Sequence, residues 1–424
     1  MEESQSAPGW QKEIYLNGFA GKKLSVKTSF EKLERKAKKE ITKKAFAYIA
    51  GGAGSEATMR ANRSAFDQWQ IVPRMLRNVS ERDTTISLFG QTLPSPILLD
   101  PVGVLEMVHP EADVAVAKAA ARLGLPYIFS NQASKPMEAC AQVMGDGHRW
   151  FQLYWSKSNE LVQSFLHRAE SCGCKALVVT LDTTLLGWRT RDLDVAYLPF
   201  LEGKGIAQYT SDPVFQKLLD EPEETEHVKR SVTLQSIRGL VRMVNNYPGS
   251  GFFRKLKSGR PLKAVRKFVS IYSNPATTWD ELSFLRQSTK LPIVLKGIVH
   301  ADDARKALDA GVDGIIVSNH GGRQTDGSIA TLDALPGIVE IVQNRIPVLL
   351  DSGIRGGADV VKALALGAKA VCVGRPYVYG LALGGEHGVY EVMRNIMAEF
   401  ELTMALAGCA TLPEINREML VRTA

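Results

Sequence analysis

Ser318-Asn319-His320-Gly321-Gly322-Arg323-Gln324 follows directly on the apolar run Gly314-Ile315-Ile316-Val317. A β-rich run that stops in Ser-Asn-His-Gly-Gly reads as a buried strand ending abruptly, with an imidazole and then a guanidinium delivered to its C-terminal mouth. His320 can accept a proton near neutral pH, and Arg323, three residues on, can grip a carboxylate through two parallel contacts. A base beside an anion clamp is equipment for chemistry on a small acid. Such pairs are also common by accident, the histidine merely ending a strand and the arginine standing in solvent. The glycines favour the chemical reading, because a plain surface loop needs neither positive φ nor backbone brought close to a ligand.

The rest of the chain must position these groups. Its 424 residues, 45% of them hydrophobic, are enough for a large core. A net charge of +7 suits an anionic ligand, yet over this length it decides little. Zinc-finger spacing and aromatic-interleaved basic stripes are both missing, so nucleic acid is not an expected partner. The cysteines, Cys140, Cys172, Cys174, Cys372 and Cys409, are odd in number and embedded in apolar runs. They predict a reduced compartment, with Cys172 and Cys174 as core thiols rather than a redox pair. The stretch from Met1 to Ser6 lacks the regions of a signal peptide, and no apolar run is long enough to span a bilayer. The expectation is a soluble, cytoplasmic protein without membrane contact. His148, His167, His227, His300 and His387 lack any metal-like spacing.

Residues 1 to about 27 are polar with scattered aromatics (Trp10, Tyr15, Phe19) and predict an arm lying on the main body. Thr28-Ser29-Phe30-Glu31 has capping-box spacing and predicts one helix reaching about Ala50, stopped by Gly51 and Gly52, with Tyr48 on its last turn. A second helix is expected around 56 to 66, then an extended entry near 71 to 74. From about 96 onward, short β-branched runs alternate with Ala-rich segments: Ile97-Leu98-Leu99, Tyr127-Ile128-Phe129, Trp150-Phe151-Gln152-Leu153, Ala176-Leu177-Val178-Val179, Ile293-Val294-Leu295, Ile315-Ile316-Val317, Val348-Leu349-Leu350 and Val371-Cys372-Val373. Apart from one long interval they recur roughly every 22 to 33 residues, the length of one βα unit. Eight such strands, apolar throughout, imply an α/β fold with a closed parallel sheet, the (β/α)8 TIM barrel. Residues 1–95 are then an N-terminal arm and helical cap, and 96–424 the barrel. The long interval, about 193 to 280, is an insertion between the fourth and fifth strands, expected at the mouth as a partly mobile lid. Closing helices are expected at 391 to 406 and 414 to 420.

Barrel enzymes assemble their sites from the loops that follow the strands. Those positions carry Asp100, Ser130, Tyr154 just beyond Gln152, Thr180 and Asp182, Lys296, His320 and Arg323, Asp351, and Gly374 with Arg375. Asp351-Ser352-Gly353-Ile354-Arg355 after strand seven and Gly374-Arg375-Pro376 after strand eight put glycine amides and arginines where such barrels hold a phosphate. With Lys296 and Gln152 deeper in the cup, the pattern suggests a phosphorylated planar cofactor. No Gly-x-Gly-x-x-Gly opens a helix, so a nicotinamide fold is not indicated.

These endings, together with Tyr48 ahead of Gly52-Ala53, Trp150-Phe151-Gln152-Leu153-Tyr154, Thr180-Leu181-Asp182-Thr183 and Leu295-Lys296-Gly297, resemble the FMN-dependent α-hydroxy-acid oxidase and dehydrogenase family, which includes glycolate oxidase, lactate oxidase and lactate 2-monooxygenase. The resemblance runs from about 33 to 420. It implies an FMN enzyme that oxidises a lactate-like L-2-hydroxy acid to the 2-oxo acid, with dioxygen as acceptor, oxygen-coupled decarboxylation as a further outcome, and assembly as a homotetramer. Carried over by position, it makes His320 the base and Asp182 the carboxylate that orients it. Tyr48, Arg189 and Arg323 grip the substrate carboxylate, and Tyr154 faces the substrate hydroxyl. Lys296 lies against the flavin edge that gains negative charge; Pro101, Val102, Gly103, Ser130, Gln152, Thr180 and Ser318 contact the ring or ribityl chain; and Asp351, Ser352, Gly353, Arg355, Gly374 and Arg375 hold ribityl and phosphate.

The chain departs from the family pattern at Asp100, where alanine is usual, and at Gln132, where a large aromatic is frequent. Gly103 and the long insertion are similar to the lactate 2-monooxygenase-like branch. Two other readings stand beside the first: an FMN enzyme for a larger 2-hydroxy acid in a biosynthetic pathway, which Asp100 and Gln132 favour, and a flavin-binding protein without turnover, which the intact set His320, Arg323, Tyr154 and Asp182 opposes.

Overall fold

A computed structural model describes residues 6–222 and 233–423. The extreme N-terminus, His227 and part of the expected lid lie outside the described residues. Eight strands form a closed parallel barrel: β1 (Ile97–Leu99), β2 (Tyr127–Phe129), β3 (Arg149–Tyr154), β4 (Leu177–Thr180), β5 (Ile293–Ile298), β6 (Gly314–Val317), β7 (Val348–Leu350) and β8 (Ala370–Val373). Strand β8 pairs back onto β1 with Val371 opposite Ile97 and Val373 opposite Leu99.

The continuous apolar runs follow from burial on both faces. Side chains alternate, so Leu98, Ile128, Trp150, Val178, Val294, Ile316, Leu349 and Cys372 fill the interior, while Leu99, Phe129, Phe151, Val179, Leu295, Ile315, Leu350 and Val373 pack outward against the helices. Two residues further along the odd-numbered strands, the inward positions change character to Asp100, Gln152, Lys296 and Asp351. That step, from hydrocarbon to charge within one pleat repeat, marks the floor of the mouth. The opposite end is plugged by a hairpin, Ile86–Leu88 with Gln91–Leu93, turning through Phe89 and Gly90 at φ 47° and 72°. Phe89 packs edge-on against Trp150 with ring centroids 5.3 Å apart.

Several expectations need correction. The single helix expected from 28 to 50 is two, Phe30–Glu40 and Lys43–Ala50. The first is capped by Ser29 rather than Thr28, and Ile41 leaves the helix in extended conformation, because Thr42 recaps the chain by accepting from the Ala45 amide at 3.2 Å. Residues 414 to 420 form no closing helix. Short 3-10 turns at Leu412–Glu414 and Arg417–Met419 lead into a strand, Leu420–Arg422, whose backbone pairs antiparallel with Trp69–Ile71. The helix expected at 391 to 406 is the second half of Arg375–Leu406, interrupted at Gly384 and Gly385. The arm is a helix, Ala7–Phe19, pinned by a 2.9 Å hydrogen bond from the Trp10 indole to Asn395. The described part of the insertion is largely helical, and Arg260–Ile271 buries Ala264, Val265 and Phe268, the last against Tyr209 and Phe200. Among the described residues, no helix is long and apolar enough to cross a membrane.

Candidate active site

His320 leaves β6 in left-handed backbone at φ 57°, followed by Gly321 and Gly322 at 65° and 74°. Its amide donates to Ser318 Oγ at 3.1 Å, and a Cβ at Gly322 would lie 2.6 Å from the Met59 nitrogen, so only glycine lets the loop pass beneath helix Ala57–Asp67. The turn presents the imidazole to the cavity. Nδ1 lies 2.8 Å from Asp182 Oδ1, and Thr183 Oγ1 donates to the same oxygen at 3.0 Å. With Nδ1–H directed at the carboxylate, Nε2 carries the lone pair. Burial pushes His320 below the ordinary histidine range, against the pull of Asp182. Burial would raise Asp182, but His320, Lys296 and Thr183 together hold it below its usual value. A neutral imidazole thus stands beside an ionised carboxylate. Tyr154 at the end of β3 lies near parallel to His320, ring centroids 6.5 Å apart, and burial raises its phenol so that it serves as a hydrogen-bond donor.

The cavity, open to solvent, is also lined by Arg189, Arg323, Arg355 and Arg375. Arg323 donates to the carbonyls of Tyr48 and Gly51 at 2.5 and 2.9 Å and lies over the Tyr48 ring. Arg375 donates to the carbonyls of Ile49, Gly321 and Gly51, and Arg189 to the Arg323 carbonyl and the Gln324 side chain. Among the described residues, none of the four has a carboxylate at ion-pair distance. Burial and the neighbouring Arg189 push Arg323 down to about 9, and burial with Arg375 does the same to Arg355. Buried like charges held this way call for anions. Lys296 differs: its Nζ is 2.5 Å from Asp351, 3.0 Å from Ser318 Oγ and 4.0 Å from Asp100. Burial works against its charge, yet Asp100, Asp351 and Asp182 keep it well above the usual lysine value.

Tyr48, Pro101, Val102, Gly103, Gln152, Tyr154, Thr180, Arg189, Lys296, His320, Arg323, Ser352, Gly353, Arg355, Gly374 and Arg375 all line this one cavity. Four expected residues stand behind the lining. Asp182 backs His320, Ser318 and Asp351 hold Lys296, and Ser130 accepts from the Gln132 amide at 3.1 Å. The reading from sequence missed Leu186, in the loop after β4, and Phe200 and Tyr272, which reach the cavity from the insertion, where no repeat marks position. Outside the cavity His300 caps the helix Ala301–Asp309, His148 bonds Gln91 and His387 pairs with Glu391.

Residues 37–422 match the model of a family described as FMN-dependent dehydrogenase. The chain belongs to that family. It is 42% identical over 414 residues to the FMN-dependent alpha-hydroxy acid dehydrogenase qulF of Penicillium citrinum, covering 97% of this chain and 95% of that one. It is also 42% identical over 393 residues to an L-lactate oxidase of Lysinibacillus sphaericus, covering 93% and 92%. A crystal structure of mandelate oxidase with (S)-4-hydroxymandelic acid superposes with a TM-score of 0.77 at 34% identity, covering 94% of this chain and 99% of that one. This member of the FMN-dependent dehydrogenases is accordingly an oxidoreductase that uses FMN to oxidise 2-hydroxy acids. The lining fits that cofactor on its own evidence. Gln152 Nε2 and Arg355 Nε are buried donors without partners among the described residues, as expected where a ligand brings ring carbonyls and a phosphate.

Proposed function

We propose that His320 is the base of this oxidation, that Arg323, Arg189 and Tyr48 bind the substrate carboxylate, and that Tyr154 donates to the substrate hydroxyl. The observation that carries the reading is the His320–Asp182 pair, 2.8 Å apart, opening into a cavity whose guanidiniums have no carboxylate partner among the described residues. Arg323 and Arg189 fix the acid, while the backbone carbonyls and Gln324 fix those arginines, so the α-carbon is held in one orientation. Nε2 of His320 takes the substrate proton, and Asp182 stabilises the imidazolium that results. Bound FMN supplies the two-electron acceptor. Pro101, Val102, Gly103, Ser130, Gln152, Thr180 and Ser318 serve its ring and ribityl chain, Lys296 compensates negative charge on the ring, and Asp351, Ser352, Gly353, Arg355, Gly374 and Arg375 serve ribityl and phosphate.

Dioxygen is the proposed final acceptor, with an L-2-hydroxy acid as substrate. A substrate with a polar group beyond the α-carbon is favoured by Gln132, which lines the cavity and whose side-chain amide has no hydrogen-bond partner among the described residues. Residues 1–95 act as arm and cap on the catalytic barrel of 96–424, and the 193–280 insertion acts as a lid, since Phe200 and Tyr272 border the cavity. Free thiols favour the cytoplasm, and the exposed Met75, Leu76 and Leu406 favour burial against further copies in a homotetramer.

The test is anaerobic mixing of the FMN-loaded protein with a panel of 2-hydroxy acids, watching the yellow absorbance bleach. Readmitted oxygen followed by assays of peroxide and carbon dioxide separates simple oxidation from coupled decarboxylation. His320→Ala retains FMN and loses bleaching; normal bleaching would remove His320 from the mechanism.

A further inference from the structure

The topmost interior layer of the barrel, Asp100, Gln152, Lys296 and Asp351, holds two carboxyl groups against one ammonium. Lys296 lies 2.5 Å from Asp351 and 4.0 Å from Asp100, so its direct contact goes to Asp351. Asp100 Oδ1 is buried and has no hydrogen-bond partner among the described residues, while its side chain borders the cavity. A buried carboxylate without a donor is destabilised and takes up a proton instead.

We propose that Asp100 stands as a neutral carboxylic acid at neutral pH and acts as a pH-responsive hydrogen-bond donor toward bound FMN. When neutral it favours electron density on the cofactor; when ionised it opposes the negatively charged reduced form. The inference rests on the reading that Lys296 and its layer face FMN. Titratable groups face Asp100 from several elements: Lys296 on β5, Asp351 after β7, whose side chain hydrogen-bonds to it, Asp182 after β4, Cys372 on β8, and Tyr377 on the helix Arg375–Leu406, whose hydroxyl donates to the Asp100 carbonyl at 2.7 Å. Burial, reinforced by Asp351 and Asp182 and opposed by Lys296, raises Asp100 to about 8.

The sign follows from that direction. A carboxyl raised above its ordinary value stays protonated through neutrality and loses its proton only as pH climbs past the shifted value. Asp100→Asn keeps the shape and a donor but cannot ionise. Sulfite, which adds to oxidised flavin and leaves it negatively charged, is the probe, with the midpoint potential of the FMN-loaded protein as a second readout. Wild type and Asp100→Asn bind sulfite within about twofold of each other near pH 6, and wild type binds about tenfold more weakly near pH 9.5. The potential of wild type falls below that of the variant over the same interval. A constant ratio across the range overturns the proposal, whether the two proteins are equal throughout or wild type is weaker throughout. If Asp100→Asn fails to hold FMN, Asp100→Ala gives the same comparison, its ratio to wild type again changing with pH. Lys296→Met separates the two levels of the argument. If Lys296→Met lowers the potential while Asp100→Asn does nothing, only the Asp100 inference fails; if neither moves it, the placement of this layer against FMN fails as well.

Discussion

Two groups of charges share one cavity and are built on opposite plans. His320 pairs with Asp182 at 2.8 Å and Lys296 with Asp351 at 2.5 Å. Among the described residues, the hydrogen bonds of Arg189, Arg323, Arg355 and Arg375 go to carbonyls and a side-chain amide, and these arginines repel one another. The first set keeps a neutral imidazole beside an ionised carboxylate near neutrality. The second set is incomplete by itself among the described residues, and on the proposed reading it gains its counter-charges from ligands. Substitutions in the two sets should therefore separate, the first altering the chemical step and the second altering what binds.

The largest separation is expected at His320. Replacing it with alanine lowers the anaerobic rate of flavin reduction by about 10²–10⁴-fold, while the FMN content of the purified protein is unchanged. Asp182→Asn lowers the same rate by roughly 10²-fold. On the other side, Arg355→Met leaves a bound phosphate short of one charge-assisted hydrogen bond, about 1.5–3 kcal/mol, or roughly 10- to 150-fold in the FMN dissociation constant read by fluorescence titration. An unchanged FMN affinity would move Arg355 out of the arginine set. Arg189→Lys keeps the charge and loses the planar fork, raising KM by about tenfold with a smaller change in kcat. The pH profile carries the smallest effect. His320 must be neutral to act and burial lowers it, so kcat/KM holds down to pH values below about 6.5 before falling. Asp182 raises His320, so in Asp182→Asn the acid limb moves lower still; a limb that moves upward would contradict the pairing.

The barrel and most of the cavity lining were legible for a physical reason. Strands buried on both faces must be apolar at every position, and the residue after each such run must face the mouth, so Lys296, His320 and Arg375 could be placed by reading where hydrocarbon stops. The same logic had no purchase where structure depends on distant pairing. The Leu420–Arg422 strand exists because Trp69–Ile71 offers it a ladder, and the Ile86–Leu88 hairpin is apolar because it plugs the barrel. Ser29 and Thr42 show a local version: both can cap, and which residues the helix abandons depends on how each segment packs.

The amino-acid sequence by itself determined the eightfold alternation, the glycine turn after His320 and the chemical types gathered at the strand ends, because these rest on side-chain period and backbone sterics within a few residues. Only the tertiary structure decided that Asp182 meets Nδ1 of His320, that Lys296 lies closer to Asp351 than to Asp100, whose Oδ1 has no hydrogen-bond partner among the described residues, and that Phe200 and Tyr272 border the cavity. Those outcomes depend on distances between groups remote in the chain, and on burial, which turns such distances into protonation states.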